Sequence, residues 1–347
     1  AVRRAAKSLI AMGCEPGHHV TILGFNRPEW VIADHACMAA GGAPAGIYAT
    51  NSPDEVHYIT GHAAAPVIVV ENEDQLAKVA AVRDRLPDLR WIVTMRGVEH
   101  KDDEMILTWD EFLAKGDDLD DSVYSDRDEA LQPHGLATLI YTSGTTGPPK
   151  GVMLTHSNLT WTADNADGVV TATPDDRLVS YLPLSHIAEQ MFTIHISTSK
   201  RYPVYFAESI DALADNIKEV RPTVFFAVPR VWEKFHAGVS ARLGEATGVK
   251  AKLADWAQNV GRQAVEHRNR GEEPGGLLGV QYRLASKLVH HKVKEALGMD
   301  ACRFAVSGAA PIDASVLEFF SGFDLPIYEV YGQSEGSGPT TANRPGQ

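Results

Sequence analysis

The chain has 347 residues, of which 44% are hydrophobic and 22% are charged, and its formal net charge is −13. This composition is typical of one large or two moderate globular domains and argues against a disordered chain. The acidic balance argues against a nucleic-acid partner, because phosphate backbones are bound through surplus lysine and arginine.

The cysteine content and the hydropathy of the chain limit the cellular location that we expect for the protein. Cys14, Cys37 and Cys302 lie far apart and form no CxxC spacing, so neither a disulfide framework nor a structural zinc site is predicted. We therefore expect a reducing, cytoplasmic environment. No apolar run reaches the roughly 18 residues of a membrane span, and peripheral contact with a membrane stays open. The first ten residues have a helical apolar pattern but no cap and no initiator methionine, which favours a fragment of a longer protein.

The first 130 residues alternate helical and strand patterns. The clearest helix is predicted at 53–62, because Ser52 and Glu55 form a capping-box signature around Pro53. A longer amphipathic helix is predicted at 73–86. Continuous apolar strands are predicted at 20–24, 67–70 and 91–94. Such strands between helices are typical of a parallel sheet covered on both faces, so we predict a doubly wound α/β fold with mostly parallel sheets.

We predict a first α/β subdomain over residues 1–130 and a second over 131–347. The acidic segment 115–129 is interpreted as a solvated linker into the phosphate strand, in preference to a metal site. Residues 230–298 are predicted to be a largely helical insertion, broken at 271–276. Within it, one helix is expected to place Leu284, Leu288, Val293 and Leu297 on an apolar face. A second face is basic and comprises Arg283, Lys287, Lys292 and Lys294. We interpret this face as solvated, in preference to a site for a membrane or for CoA phosphates.

The stretch YTSGTTGPPKG at residues 141–151 lies between two predicted strands, at 137–141 and 152–155. Gly144 and Gly147 allow positive φ, so that successive N–H groups can face one anion. The loop adds one lysine and four hydroxyls, which are Lys150, Thr142, Ser143, Thr145 and Thr146. We predict a cradle for a nucleotide triphosphate tail. A Walker A loop is excluded, because that motif needs glycine before the lysine and serine or threonine after it.

Three further motifs follow the cradle, each after a predicted strand. PLSHIAEQ at 183–190 contains His186, at a strand-to-helix corner where α/β proteins place ligand sites. SGAAP at 307–311 is a turn of small residues that leaves flat room for a purine ring. YGQSE at 331–335 is a polar loop. Each of these motifs is weak alone, and each also fits a purely structural role.

In this order the four motifs resemble those of the adenylate-forming superfamily, which includes acyl-CoA synthetases and luciferases. PLSHIAEQ, the segment KEVRPTVFFAVPRVWEK, the long helical insertion and the serine in YGQSE resemble long-chain fatty acyl-CoA synthetases of the bubblegum type. The resemblance implies ligation in two steps. A fatty carboxylate attacks the α-phosphorus of MgATP to give acyl-AMP, and CoA then displaces AMP to give the thioester.

The resemblance also assigns roles to residues of this chain. Catalytic roles are implied for Thr142, His186 and Glu335, with Thr142 and Glu335 near Mg²⁺. The cradle residues expected to hold the β- and γ-phosphates are Thr142, Ser143, Gly144, Thr145, Thr146, Gly147 and Lys150. The residues expected around adenine and the α-phosphate are Gly308, Ala309, Ala310, Tyr331, Gly332, Gln333 and Ser334.

The resemblance further implies parts that follow residue 347 in the family, namely a ribose-binding aspartate, a hinge and a small C-terminal domain with a catalytic lysine. We therefore expect the isolated fragment to be inactive and the small domain to be absent from it. Two alternatives stay open at this point. One is adenylation of another carboxylate, and the other is a non-catalytic nucleotide-binding module.

Overall fold

A computed structural model describes residues 1–143 and 147–346, apart from the side chain of Asp167. The chain forms two compact units. The first comprises Ala1–Ala163 and Tyr181–His195, and the second comprises Asp164–Ser180 and the chain from Ile196 onward. The predicted boundary at residue 130 is not where the units divide, because the strands that flank the 141–151 loop belong to the sheet of the first unit.

The first unit is built on a seven-stranded sheet in the order β5-β4-β3-β1-β2-β6-β7. All neighbouring strands are parallel except β6 and β7, which are antiparallel. The strands are β1 His19–Leu23, β2 Ala43–Ile47, β3 Val67–Val70, β4 Trp91–Thr94, β5 Ile106–Thr108, β6 Leu136–Thr142 and β7 Lys150–Thr155. The four residues of β3 are fully buried, as a central strand covered on both faces requires.

Eight helices belong to the described part of the first unit: α1 Val2–Ala11, α2 Pro28–Ala39, α3 Pro53–His62, α4 Glu73–Ala80, α5 Trp109–Ala114, α6 Asp121–Glu129, α7 His156–Asn165 and α8 Ile187–Gln190. Helix α7 extends two residues past Ala163. The predicted capping box at α3 is confirmed, since the Ser52 hydroxyl accepts a hydrogen bond from the Glu55 amide and the Glu55 carboxylate accepts one from Ser52. Capping satisfies amides that the first helical turn leaves without partners.

Two predictions for the first unit are wrong in detail. The helix expected over 73–86 ends at Ala80, and a short 3-10 turn, Arg83–Arg85, follows it. The segment 115–129 is not a plain linker, because it contains α6 and returns to α1. Arg4 donates two hydrogen bonds to the Asp117 carboxylate, and Lys7 lies 2.9 Å from Asp121. The acidic run is therefore neutralised in part by the basic side of the first helix.

The second unit holds a four-stranded sheet in the order β10-β11-β12-β13 and a two-stranded parallel sheet, β8-β9. The first three strands of the larger sheet are parallel, and β13 runs antiparallel to β12. The strands are β8 Leu178–Ser180, β9 Val204–Phe206, β10 Val224–Ala227, β11 Phe304–Gly308, β12 Ile327–Gln333 and β13 Gly338–Ala342. The predicted α/β class with mostly parallel sheets is confirmed in both units.

Residues 230–298 are largely helical, as predicted, and the helices are interrupted after residue 270. The helices of this unit are α9 Ser197–Lys200, α10 Leu213–Val220, α11 Pro229–Gly244, α12 Val249–Asn269, α13 Gly276–Ala285, α14 His291–Leu297 and α15 Ala314–Ser321. Helices α13 and α14 are joined by a π-helical turn, Ser286–His290. None of the helices within the described ranges is both long enough and apolar enough to cross a membrane.

The apolar face predicted across this π-helical turn is not uniform in the structure. Leu284 and Leu288 are 50% and 37% exposed, whereas Val293 and Leu297 are half-buried. Lys294 does not lie on a solvated basic face, because its ammonium contacts the Asp324 carboxylate at 3.1 Å and its side chain is only 15% exposed.

A buried carboxylate ties three segments of the second unit together. Asp176 accepts hydrogen bonds from Arg303 at 2.9 Å, from the Thr223 hydroxyl at 2.6 Å and from the Thr173 amide at 2.8 Å. Burial alone would raise the pKa of Asp176, but these donors outweigh it and lower the pKa to about 2. The network therefore stabilises the fold only while the carboxylate is ionised.

Replacing Asp176 by asparagine is expected to reduce the free energy of unfolding by about 3 kcal/mol, because Arg303 loses its buried counter-charge. Urea denaturation at neutral pH measures the change. The neighbouring exposed Asp175→Asn is the matched control and should stay within about 0.5 kcal/mol of wild type. The contribution of Asp176 is present above its ordinary pKa of 3.8 and is lost as the pH falls towards 2. An equal effect of the two substitutions would contradict this role.

Candidate functional site

The phosphate motif is carried by the antiparallel hairpin of β6 and β7. Thr142, the last residue of β6, lies directly opposite Lys150, the first residue of β7. Opposite residues of an antiparallel pair project from the same face. The hairpin therefore places the Thr142 hydroxyl and the exposed Lys150 ammonium side by side where the loop begins.

The loop between them is described only at its ends. Gly147 has φ +102°, a conformation that glycine adopts without strain, and apart from its chain neighbours no described atom lies within 4 Å of where its Cβ would be. Ser143 is exposed. Gly144, Thr145 and Thr146 lie outside the described residues, so their predicted contacts with phosphate stay predictions.

The base of the hairpin is held by a side chain that sequence reasoning missed. A Cβ at Gly151 would lie 3.4 Å from the Tyr141 ring, so the ring covers the glycine backbone. The Tyr141 hydroxyl lies 2.9 Å from His62 Nδ1 on α3. Burial raises the pKa of Tyr141 to about 12, so the phenol stays neutral and keeps its proton. These contacts anchor β6 to α3 next to Thr142, at the start of the predicted phosphate loop.

His186 occupies the N-cap position of α8, and its backbone has extended dihedral angles. Its Nδ1 accepts a hydrogen bond from the Ala188 amide at 3.2 Å. Burial lowers the pKa of this half-buried imidazole, which favours the neutral form. Because Nδ1 is the acceptor, the remaining proton resides on Nε2. The residue is thus prepared to donate one hydrogen bond from Nε2 to an anion.

Two residues outside the four motifs hold the turn before His186. Asn26 accepts a hydrogen bond from the Leu184 amide at 3.1 Å and donates one to the Leu182 carbonyl at 2.6 Å. On β2, a Cβ at Gly46 would lie 2.6 Å from Ser185 Cα. Strand β2 in turn pairs with β6, the strand that leads to Thr142. The first unit therefore places the His186 turn against the strand beside the phosphate hairpin.

In the second unit, SGAAP and YGQSE lie at the ends of two neighbouring parallel strands, β11 and β12. Gly308 at the end of β11 is opposite Val330 of β12. Since the two strands are parallel, Ala309 and Ala310 leave the sheet beside Tyr331, which is still part of β12, at the carboxyl edge where open α/β sheets bind ligands. All three are exposed, and the Tyr331 side chain is 64% exposed.

Close backbone approach explains the small residues of SGAAP. A Cβ at Gly308 would lie 2.9 Å from the Val330 carbonyl oxygen and 3.1 Å from the Phe226 ring. The next residue, Ala309, has φ +69°, which an L-residue rarely adopts. The motif thus has a packing role at Gly308 and a strained, exposed backbone at Ala309. Such strain is a feature of ligand sites.

The YGQSE residues form the end of a hairpin and its turn. Gly332 and Gln333 belong to β12 and are opposite Pro339 and Gly338 of β13, with a register shift between Tyr331 and Gly332. A 3-10 turn, Ser334–Gly336, then carries the exposed Glu335. The predicted adenine and α-phosphate residues are therefore brought together within the second unit.

The predicted magnesium ligands belong to different units, Thr142 to the first and Glu335 to the second. Their donor set, one hydroxyl and one carboxylate, is of the hard oxygen type that Mg²⁺ prefers. Within residues 1–143 and 147–346, no group of three or more histidine, cysteine, aspartate and glutamate side chains is placed to hold a metal.

Comparisons with known proteins match the whole chain. The family model described as "AMP-binding enzyme" matches residues 1–347. The long-chain-fatty-acid–CoA ligase ACSBG2 of Xenopus laevis is 44% identical over 99% of this chain and 47% of its own length. The human ACSBG2 is 42% identical over 98% of this chain and 51% of its own length. The chain therefore spans about half the length of the curated relatives that it matches.

Solved structures show the same fold at low identity. A long-chain-fatty-acid-CoA ligase (FadD1) from Archaeoglobus fulgidus has a TM-score of 0.70 at 17% identity, covering 99% of this chain and 57% of that one. The N-terminal domain of FACL13 from Mycobacterium tuberculosis has a TM-score of 0.67 at 17% identity, covering 98% and 69%. With the four motifs in order and the family match along its entire length, the chain belongs to the AMP-binding enzyme family.

Proposed function

We propose that this chain supplies the ATP and acyl sites of an AMP-forming long-chain fatty acid–CoA ligase. The observation that carries the proposal is the pairing of Thr142 with Lys150 at the start of the phosphate loop. A hydroxyl and an ammonium on one face suit the β- and γ-phosphates of ATP. The choice of a fatty acid is supported by the names of the curated relatives, which are long-chain-fatty-acid–CoA ligases.

The proposed chemistry joins two anions, a fatty carboxylate and the triphosphate of ATP, so charge neutralisation is the main task. Lys150 and the loop amides offset phosphate charge, and Mg²⁺ held near Thr142 and Glu335 would offset more. His186 donates its Nε2 proton in a hydrogen bond to the carboxylate. It orients that group towards the α-phosphorus without forming a covalent bond.

The nucleotide end is assigned to the second unit. We infer that adenine lies on the flat turn of Gly308, Ala309 and Ala310, beside Tyr331. Ser334 lies near the α-phosphate in this proposal, at the start of the turn that carries Glu335. CoA is the acceptor in the second step. Peripheral contact with a membrane stays a prediction.

The test is fatty-acid-dependent ATP–pyrophosphate exchange by the full-length gene product, with saturated acids of graded chain length and with benzoate and amino acids. We expect exchange to be strongest with long-chain acids and to require Mg²⁺. Preference for aromatic or amino acids would show that the substrate is another carboxylate and not a fatty acid. Absence of exchange with every acid, combined with retained ATP binding, would favour a non-catalytic nucleotide-binding module.

A further inference from the structure

A cleft in the second unit shares no residue with the four motifs. It is an open groove of about 300 Å³ between α10, α11 and α14. This volume is at the lower end of the range for small-molecule sites. The cleft is therefore large enough for one slender ligand and small for a ligand with two acyl chains.

The floor of the cleft is apolar. Helix α11 contributes Phe235, Val239 and Leu243, which follow one another at four-residue spacing and so share one face. Helix α14 contributes Val293 and Leu297 from the opposite side. All five side chains are only half-buried. The helices thus leave a strip of apolar surface in contact with water, which an acyl chain could cover favourably.

Small residues keep the cleft open, and a tight contact closes one end of it. Gly238, Ala214 and Ala296 line the cleft without long side chains. At the end of α14, Gly298 has φ +72°, and a Cβ there would lie only 2.5 Å from Lys218 Cα. Helices α10 and α14 are therefore in backbone contact at this end, which gives the groove a fixed shape.

The rim of the cleft is cationic, with Lys218, Lys234, Arg242 and Lys292 around it. No aspartate or glutamate is present among the described residues that line it. Lys218 has a carboxylate neighbour, Asp215 at 3.1 Å. The other three form no salt bridge with the described part of the chain. On a protein whose net charge is −13, this is a local reversal of sign.

From this geometry we propose that the cleft binds a single acyl chain with a multiply charged phosphate head, the chemistry of a long-chain acyl-CoA. The acyl chain lies along the apolar floor, and the phosphates contact the rim, where lysine and arginine are well suited to phosphate. Four cations exceed what the single charge of a free fatty carboxylate requires. The identification rests on the proposed function, because acyl-CoA is the product of that reaction. The cleft would then be a second site at which the enzyme senses its product.

The experiment is hydrogen–deuterium exchange on the full-length gene product, with and without palmitoyl-CoA. Binding in the cleft is expected to slow amide exchange in segments 234–243 and 292–297. The double variant R242E/K292E should raise the palmitoyl-CoA concentration that gives half-maximal protection about tenfold, because two rim charges are reversed. K287E is the matched control, since Lys287 is an exposed lysine five residues before Lys292 and does not line the cleft. It should leave the protection unchanged.

Separate ligands decide the identity of the occupant. Palmitate alone and CoA alone are each expected to protect these segments less than palmitoyl-CoA at the same concentration. Protection that is absent in wild type, or equal in R242E/K292E and wild type, would overturn the proposal. Equal protection by phosphatidylserine vesicles without CoA would also overturn it in favour of a membrane contact. ATP–pyrophosphate exchange uses no CoA, so the proposed function and the acyl-CoA site are tested by separate measurements. Lack of exchange would contradict the proposed function, and lack of protection would contradict the acyl-CoA site.

Discussion

Lys150→Ala is expected to lower kcat/KM for fatty-acid-dependent ATP–pyrophosphate exchange by about 100-fold, the usual cost of removing one group that stabilises developing negative charge. Lys150 is the cation that β7 places opposite Thr142, at the start of the phosphate loop. Its side chain is exposed, so its removal leaves no cavity. The effect should therefore appear in activity and not in stability.

Two further variants separate charge from geometry at this position. Lys150→Arg keeps the charge but changes its shape and should recover part of the activity. Met153→Ala alters a residue that is 68% exposed on the same strand and should leave exchange unchanged. Thermal unfolding of all three proteins checks that the fold is intact. Full exchange activity in Lys150→Ala would contradict the assignment of this loop as the triphosphate site.

Those parts of the fold with a strong local signal could be predicted from the sequence. Strand β3 is a run of four buried β-branched residues, and α3 carries its own capping box, so both were located correctly. Strand β2 was missed because APAGI has only one β-branched residue. Its small residues are explained by packing, since Gly46 must admit the backbone of Ser185. A single sequence does not show such a distant contact.

The apolar and basic faces predicted across α13 and α14 were wrong for a different reason. The faces predicted across residues 284–297 span the π-helical turn Ser286–His290, which departs from the regular helical period. Lys292 lines the cleft described above, while Lys294, about 200° away around α14, pairs with Asp324. Local propensity does not predict an extra residue in one turn, because tertiary contacts decide it.

The candidate site also combines residues that the sequence identifies with distant contacts that it does not show. Motif order and the family resemblance it carries single out Lys150, His186, Ala309 and Glu335, and the roles of these residues stay predictions. The supporting contacts of Asn26 and Tyr141 were not predicted, since each joins residues far apart in the chain. The neutral state of His186 is likewise not predictable from the sequence, because burial lowers its pKa and the Ala188 amide fixes the proton on Nε2.

Gly332 is a residue whose interpretation changes with the structure. It is predicted to contact nucleotide, but close backbone contacts with β13 also give it a role in packing the hairpin. A Cβ at this position would lie 2.1 Å from the Gly338 carbonyl oxygen and 3.1 Å from Pro339 Cα. These are backbone atoms of β13 and cannot move aside as a flexible side chain would. The register shift between Tyr331 and Gly332 lies at the same point.

Gly332→Ala is therefore expected to force β12 and β13 apart and to cost about 2 kcal/mol of stability, which corresponds to roughly 5 °C in Tm. Because Tyr331 and Gln333 move with the strand, MgATP affinity should fall by more than about tenfold. Differential scanning calorimetry and equilibrium binding of MgATP measure the two effects.

Gly336→Ala is the matched control in the same hairpin. Its Cβ would lie 3.2 Å from the Thr340 hydroxyl, which can rotate away, and 3.7 Å from Gln333 Cγ, which is an ordinary van der Waals contact. We expect this variant to stay within about 0.5 kcal/mol of wild type and to bind MgATP normally. If Gly332→Ala instead lost MgATP binding at an unchanged Tm, the glycine would act by admitting the ligand and not by shaping the hairpin. Joint loss of stability and affinity in Gly332→Ala alone would show that the nucleotide edge depends on this single close backbone contact.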